Sequence, residues 1–408
     1  MIHANFPFSQ HDEPDTARSF FAPCPRGLER LLAQELRDLG GQESHETPGG
    51  VECRGSFALC YRLNSESRLA SRILWRVGAG TCRTEEDLYR LTFEQPWAER
   101  FSVHSFIKVR IVAQRSPLKS LEFATLRVKD GICDRFVEVC GARPTIDKRH
   151  PDISVVVYLA GQEAVWYIDT SGAPLFKRGW RKAAGEAPIR ENLAAGILEL
   201  AGWTPDQVLL DPMCGAGTFL IEAGLKGKGI PAGNGRSFAF TVLSNFDGNT
   251  WSHLRQKGGK PPVSGPPLSL YGYDQNVQAL DMARMNSRGL GFSEIHWKQE
   301  EALDVEPPAP HGLIVTNPPY GVRMGDHQEL EEWYPKFGNM LKQRFAGWKA
   351  YIFTADLRVP KLIRLAPSRK IPLYNGPLES RLYEFRMVAG GNRKQSRLVK
   401  RTGKEMAG

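Results

Sequence analysis

Apolar and polar positions alternate with two different rhythms along this chain. Up to about Thr170 the apolar runs are short and are broken by helical patches. In "FFAPCPRGLERLLAQELRDLGG" a strand end meets a Pro-rich turn. Leu28, Leu31, Leu32, Leu36 and Leu39 then share one helix face, and Gly40 and Gly41 stop the pattern. "GVECRG" predicts a strand and "FALCYRLN" the start of a helix. "FIKVRIVAQR" alternates apolar with basic or polar residues, as a half-buried strand does. "SLEFATLRVKDGICDRFVEVCG" predicts a helix offering Leu121, Ala124, Leu126, Val128 and Ile132 for burial. "ISVVVYLAGQEAVWYID" reads as a hairpin turning at Gly161-Gln162. Together these elements predict two small α+β units, residues 18–78 and 79–170.

Residues 171–188, rich in Gly, Ala, Pro and cations, read as a linker. From Ile189 to residue 389 longer helices alternate with strongly apolar strands, the signature of an α/β domain on a mainly parallel sheet. Its candidate strands are "QVLLDP", "LSLYGYD", "EIHWKQ", "GLIVTNPP", "KAYIFTAD", "KIPLYN" and "SRLYEFRMV". Only "GPLE" separates the last two, so they should pair antiparallel. Residues 226–267 interrupt the pattern with many Gly and Pro, plus Phe238, Phe240, Phe246 and Trp251. An ordered loop or short helices covering the site are expected there. Residues 1–17 and 390–408 are expected to be disordered tails.

Composition changes little in this picture. The 408 residues suffice for two or more domains, and 41% hydrophobic with 24% charged residues is ordinary for a globular protein. No apolar run reaches the ~18–20 residues of a membrane span, and the first residues do not read as a secretion signal. The seven cysteines include no C-x-x-C pair, which suggests neither a disulfide framework nor a metal site. A reduced, cytoplasmic setting is the simpler expectation.

Charge adds more. The formal net charge is +9, and Phe101–Arg190 holds 15 Lys/Arg against 9 Asp/Glu. The stretch from Gly390 carries six Lys/Arg and one acid. A polyanionic partner and a merely solvated basic surface both fit. Lys108, Arg110, Arg115 and Lys119 sit on one strand and its exit loop, a placement suited to backbone phosphates. Lys177 and Arg178 in the linker join them as RNA-contact candidates.

Chemistry enters with "QVLLDPMCGAGTFLIEAGLKG", which reads as strand, turn and helix. Gly215 and Gly217 permit a tight turn and close approach of a ligand. A dinucleotide fingerprint would want glycine at position 220, where Leu220 stands. Asp274 ends the next strand and can accept both hydroxyl hydrogens of a ribose. Asp211, just before the glycines, would repel a pyrophosphate but not the sulfonium and ammonium of S-adenosylmethionine (SAM). The balance favours SAM over a dinucleotide. Arg190 and Asn192, in the first turn of "APIRENLAAGILELAGW", are candidates to complete the pocket, and Glu301 is a candidate acceptor for an adenine amino group.

"GLIVTNPPYGVRMG" supplies the other half. A planar amine is a poor nucleophile because its lone pair is delocalised. The Asn317 side-chain oxygen can take one N–H and the Pro318 carbonyl the other, while proline offers no competing donor. Tyr320 can stack on the target's flat face. The sulfonium methyl is already activated, so the help required is positioning, without a metal.

"DPMCGAGT", "NPPYG", "RENLAA" and "PDISVVVYLAGQEAVWYIDTSGAPLFKRGWR" resemble the class I SAM-dependent methyltransferases with an N-terminal THUMP domain. Among these the chain is most similar to the bacterial 23S rRNA guanine-N2 methyltransferases in their single-catalytic-domain form. The resemblance covers about Phe20–Val388. It implies a ferredoxin-like piece, a THUMP RNA-binding domain and a Rossmann-like seven-stranded methyltransferase domain. It places SAM contacts at Asp211, Cys214, Gly215, Gly217, Thr218, Asp274 and Glu301, the last departing from an expected aspartate. Asn317, Pro318 and Tyr320 match its catalytic motif. Rival readings are a tRNA guanine-N2 methyltransferase, a DNA or RNA adenine-N6 methyltransferase, a non-catalytic RNA-binding assembly factor and a nicotinamide oxidoreductase. The front end lacks a recognisable DNA-reading helix, Asn317 and the glycines are intact, and Leu220 and Asp211 oppose a dinucleotide.

Overall fold

A computed structural model describes residues 17–183, 188–258, 267–318 and 327–388. The flanking tails and Tyr320 lie outside the described residues. Two compact units emerge. The front unit runs to Arg181 and adds Arg190–Gly196 and the insertion from Gly229. The second holds Lys182–Ile189, Ile197–Lys228 and the chain from residue 264.

The front unit is built on one eight-stranded sheet. Its strands are β1 (Arg18–Pro23), β2 (Gln42–Thr47), β3 (Gly50–Gly55), β4 (Leu74–Thr81), β5 (Phe106–Gln114), β6 (Thr145–Ile146), β7 (Ile153–Ala160) and β8 (Glu163–Asp169). They lie in the order β2-β3-β1-β4-β8-β7-β5-β6. The two α+β pieces therefore share a sheet through β4. That strand pairs with β1 at Phe20↔Trp75 and with β8 from Leu74↔Asp169 to Thr81↔Glu163, both antiparallel. The β7–β8 hairpin turns at Gly161, whose φ of +59° suits glycine.

One strand here lacks a hydrophobic signature. β2 is "QESHET", polar throughout and mostly exposed. Helix Glu85–Phe93 opens on a capping box between Thr84 and Asp87 and buries Leu88. Helix Leu121–Cys140 buries Ala124, Val128, Gly131, Ile132, Cys133 and Phe136. Leu121 and Leu126, expected in the core, are 43% and 47% exposed. The buried face is fixed at Gly131, where an added Cβ would lie 2.9 Å from the Tyr89 carbonyl oxygen. Leu126 is two residues from Ala124, about 200° around the helix, and so faces away.

Up to Gly258 the insertion forms a 3₁₀ turn at Ala239–Val242 and a helix at Gly248–Gly258. Its aromatics pack within the front unit. The Tyr61 ring lies 4.6 Å from Phe240, 5.7 Å from Phe246 and 6.1 Å from Trp251, centroid to centroid. Its hydroxyl accepts from the Asp247 N–H at 2.8 Å.

The second unit carries seven strands: β9 (Leu209–Asp211), β10 (Leu270–Asp274), β11 (Ile295–Gln299), β12 (Leu313–Thr316), β13 (Lys349–Thr354), β14 (Arg369–Asn375) and β15 (Leu378–Arg386). Their order is β11-β10-β9-β12-β13-β15-β14. β9 to β13 are parallel, and β15 runs antiparallel between β13 and β14. The β14–β15 hairpin turns on Gly376-Pro377, with Asn375 opposite Leu378. A core including Tyr334, Phe337, Phe345 and Trp348 packs against this sheet.

Candidate active site

From β9 the chain steps to β10 and β11 on one side and later to β12 and β13 on the other. The strand order reverses between β9 and β12. In an open α/β sheet, ligands bind beyond the carboxyl ends of strands at such a switch point. Asp211 ends β9, Asp274 ends β10, and Asn317 follows β12. Leu313 and Ile314 pair with Leu209 and Leu210. The glycine turn after β9 and Asn317 after β12 thus follow neighbouring strands.

The turn after β9 is held from both flanks. The Cys214 N–H donates to the Tyr273 carbonyl and the Gly217 N–H to the Cys214 carbonyl, each at 2.9 Å. The Gly215 N–H donates to Asp274 Oδ2 at 2.9 Å. Asp274 Oδ1 accepts from the Asn276 N–H at 2.9 Å. Gly215 and Gly217 take φ of +53° and +80°, the left-handed region that glycine enters freely. Gly217 then opens helix Thr218–Gly227, and Thr218 and Cys214 are buried beneath the turn. Burial, helped by Asp211 and Asp274, pushes the Cys214 thiol far up, so it stays neutral.

Asp211 is buried and accepts from the Met213 N–H at 3.2 Å. Burial pushes its carboxyl up to about 7, although the Thr316 hydroxyl and the Met213 N–H pull the other way; nearby Asp274 adds to the rise. Two carboxyls converging here would welcome a cation. At Gly215 an added Cβ meets nothing within 4 Å, so the turn has an open side. Both features fit SAM, whose sulfonium and ammonium are positive and whose ribose needs an acceptor. Leu220 fills the place of a third glycine and packs against Gly272, where an added Cβ would lie 2.5 Å from it.

On the other strand end, Asn317 Oδ1 is buried, and among the described residues nothing donates to it. Buried acceptors are normally paired. Pro318 is buried beside it. Glu301 is half-buried just after β11, next to buried Ala302.

Other sequence candidates find different partners. Asn192 is fully buried in the front unit, where its Nδ2 donates to the Leu69 carbonyl at 3.2 Å and Ser71 Oγ at 3.1 Å. Arg190 is exposed, with its guanidinium 5.0 Å from the Phe176 ring centroid. These partners belong to the protein itself. Arg178 also departs from expectation. It is 4% exposed, and it donates to the Leu175 and Arg68 carbonyls rather than facing solvent. Arg110, Arg115, Lys119 and Lys177 are exposed. Lys108 is half-buried and donates to the Lys148 carbonyl at 3.0 Å.

Trp297 was not legible as a site residue. Its ring lies where a Cβ on Gly217 would come within 2.6 Å and one on Gly272 within 2.4 Å, so it backs the turn. Its place in "EIHWKQ" marks a strand, but only the parallel pairing of β10 with β11 brings the indole onto the glycines. Among the described residues, no helix is long and apolar enough to cross a membrane, and no three His, Cys, Asp or Glu gather as a metal site. All seven cysteines are free.

A doubly wound sheet with an acidic, glycine-turned switch point is the architecture of a SAM-dependent methyltransferase, and SAM is the cofactor. Family models agree across the chain. Residues 19–74 match the RlmL ferredoxin-like domain, 82–169 the THUMP domain, and 178–384 the RMKL-like methyltransferase domain. A Synechocystis protein provisionally named RNA methyltransferase slr0064 is 35% identical over 376 residues, 91% of this chain and 97% of its own. The ribosomal RNA large subunit methyltransferase K/L of Methylococcus capsulatus is 39% identical over 379 residues, 90% of this chain but 51% of its own. The chain spans about half the length of the K/L relatives it matches. The crystal structure of SMU.472, provisionally a methyltransferase and complexed with SAH, superposes with a TM-score of 0.83 at 29% identity, over 91% of this chain and 98% of that one. The chain belongs to the family of RlmL-like methyltransferases that carry a THUMP domain, and it is an RNA methyltransferase.

Proposed function

We propose that the chain transfers a methyl group to the exocyclic N2 amine of a guanine in large-subunit ribosomal RNA. The observation that carries the amine reading is the buried Asn317 Oδ1 beside the donor turn, which receives no donor among the described residues. SAM, when bound, supplies a methyl on a sulfonium that needs no further activation. Asp274 would accept from its ribose, Asp211 would face its positive charge, and Gly215 and Gly217 would let the backbone approach. Cys214, Thr218 and Glu301 would line the same seat. Asn317 Oδ1 would accept a hydrogen bond from one amine N–H and the Pro318 carbonyl from the other, turning the nitrogen lone pair toward the methyl. As the N–C bond forms, the S–CH3 bond breaks to release S-adenosylhomocysteine and the surplus N–H proton leaves to water. Tyr320 would stack on the base. Positioning of this kind accounts for most of the acceleration such a transfer needs. A paired guanine would have to leave its stack first. Arg110, Arg115, Lys119 and Lys177 would hold RNA phosphates, with Lys108 assisting.

The ribosomal target is supported by the names of the K/L relatives. A second reading is an adenine N6 amine, because the same grip serves it. A Listeria monocytogenes neighbour, 28% identical with a TM-score of 0.82, bears the name of a predicted N6-adenine-specific DNA methylase. The deciding experiment is tritiated-methyl transfer to fractionated RNA from cells lacking the protein, followed by nucleoside analysis. N2-methylguanosine in ribosomal RNA is the expected product. N6-methyladenosine, or label confined to transfer RNA, would overturn the guanine or the ribosomal part respectively.

A further inference from the structure

Asn286 lies near the end of helix Val277–Ser287 and is fully buried. Its amide does not cap its own helix. Oδ1 accepts from the N–H groups of Lys182 at 2.8 Å and Ala183 at 3.0 Å. Nδ2 donates to the Ala183 carbonyl at 2.9 Å and the Ala216 carbonyl at 3.2 Å. Lys182 and Ala183 are linker residues, and Ala216 stands between the two left-handed glycines. One side chain therefore ties the linker backbone to the middle of the donor turn. Only a primary amide offers two acceptor sites and two donors at this length; aspartate lacks the donors and serine lacks the reach.

We propose that Asn286 is a positioning residue for the methyl donor, holding the turn open for SAM and linking SAM binding to docking of Lys182–Ala183. The inference rests on the reading of the Gly215–Gly217 turn as the SAM seat. Fixing the Ala216 carbonyl fixes the peptide planes on both sides of it, and hence the open face at Gly215. Because the same amide grips the linker, whatever firms the turn firms Lys182–Ala183. The reverse follows by linkage, since coupling between two sites is reciprocal.

The test uses the full chain and S-adenosylhomocysteine as probe. Asn286→Ala and Asn286→Asp should each weaken its binding about tenfold, the effect of losing one or two buried hydrogen bonds. The KM for SAM should rise similarly while kcat at saturating SAM stays within about twofold, the signature of lost binding that is equal in ground and transition states. A general loss of structure would instead lower kcat. Folded variants that bind the probe as the unaltered chain does would overturn the proposal. Should neither variant fold, hydrogen exchange on the unaltered chain decides: the probe should slow exchange at the Lys182 and Ala183 amides, and no change there would sink the coupling. Asp274→Ala serves as the control. If it too leaves probe binding intact, the seat itself is misplaced; if it alone weakens binding, Asn286 has no positioning role.

Discussion

The carboxylate of Asp274 receives the Gly215 N–H at 2.9 Å, so the end of β10 clamps the turn that follows β9. Its other oxygen receives the Asn276 N–H at the same distance and thereby starts the next helix. Asp274→Ala removes both acceptors, leaving the part-buried Gly215 N–H unpaired at a cost of about 1–3 kcal/mol while the exposed Asn276 N–H turns to water. It should lower the Tm and reduce S-adenosylhomocysteine affinity at least about tenfold. Asp274→Asn keeps a side-chain oxygen for one N–H and should recover much of the Tm while binding stays weak. Calorimetry and titration of the two variants separate the clamp from the ribose contact.

Asp211 gives a pH signature. Its folded carboxyl sits at about 7, above the ordinary 3.8, because it is buried. A raised pKa means the fold prefers the neutral acid. That contribution is complete below about pH 4 and is lost as pH rises through about 7. A shift of this size corresponds to roughly 4 kcal/mol at most. Asp211→Asn should therefore flatten the fall in stability of the ligand-free chain between about pH 4 and 7, the range between its unfolded and folded values. Binding has the opposite sign. A cationic donor favours ionised Asp211, so its binding expels a proton, and affinity should rise toward pH 7 and then level off. Affinity that does not change over this range would remove Asp211 from contact with the donor's charge.

Asn317 should show a conflict between function and stability. Its Oδ1 is buried without a donor among the described residues. Asn317→Ala deletes that acceptor, so the Tm should hold or rise, by about 1 kcal/mol of stability. Transfer should fall below detection while S-adenosylhomocysteine affinity stays within about twofold. Thermal melts alongside single-turnover assays give both answers. A markedly lower Tm would mean that Asn317 is a structural residue.

The cations divide by exposure. Arg178 is buried on backbone carbonyls, so Arg178→Ala should lower the Tm and leave the salt dependence of RNA binding unchanged. Arg110 and Lys119 are exposed. Changing both to glutamate should weaken RNA binding and reduce the slope of log affinity against log salt by about 1 for each lost phosphate contact. Filter binding at several salt concentrations distinguishes the two classes.

Much of the site was readable because strand ends carry chemistry in a fixed order. An apolar run that stops at Asp211 before two glycines declares a strand and a turn, and so does Leu313–Thr316 before Asn317. Side-chain partners were less readable. Asn192 and Arg178 are polar residues in polar stretches, and a sequence cannot say which carbonyls will approach them. Trp297 and Asn286 were missed for the same reason. Each acts across a gap of many residues, on Gly217 and on Ala216 respectively.

The chain by itself determined the apolar strands of the second unit, where their polar ends fall, and that the switch point would be acidic, because burial of alternating or continuous apolar runs depends on local spacing; β2, β4 and β6 of the front unit were not legible in that way. Tertiary structure alone decided that the two front pieces would share one sheet through β4 and that the insertion's aromatics would surround Tyr61. It also decided that a single amide would join linker to turn. These are pairings between residues far apart in sequence. Each depends on which backbone groups remain unpaired once the strands have met, a quantity that no local pattern carries.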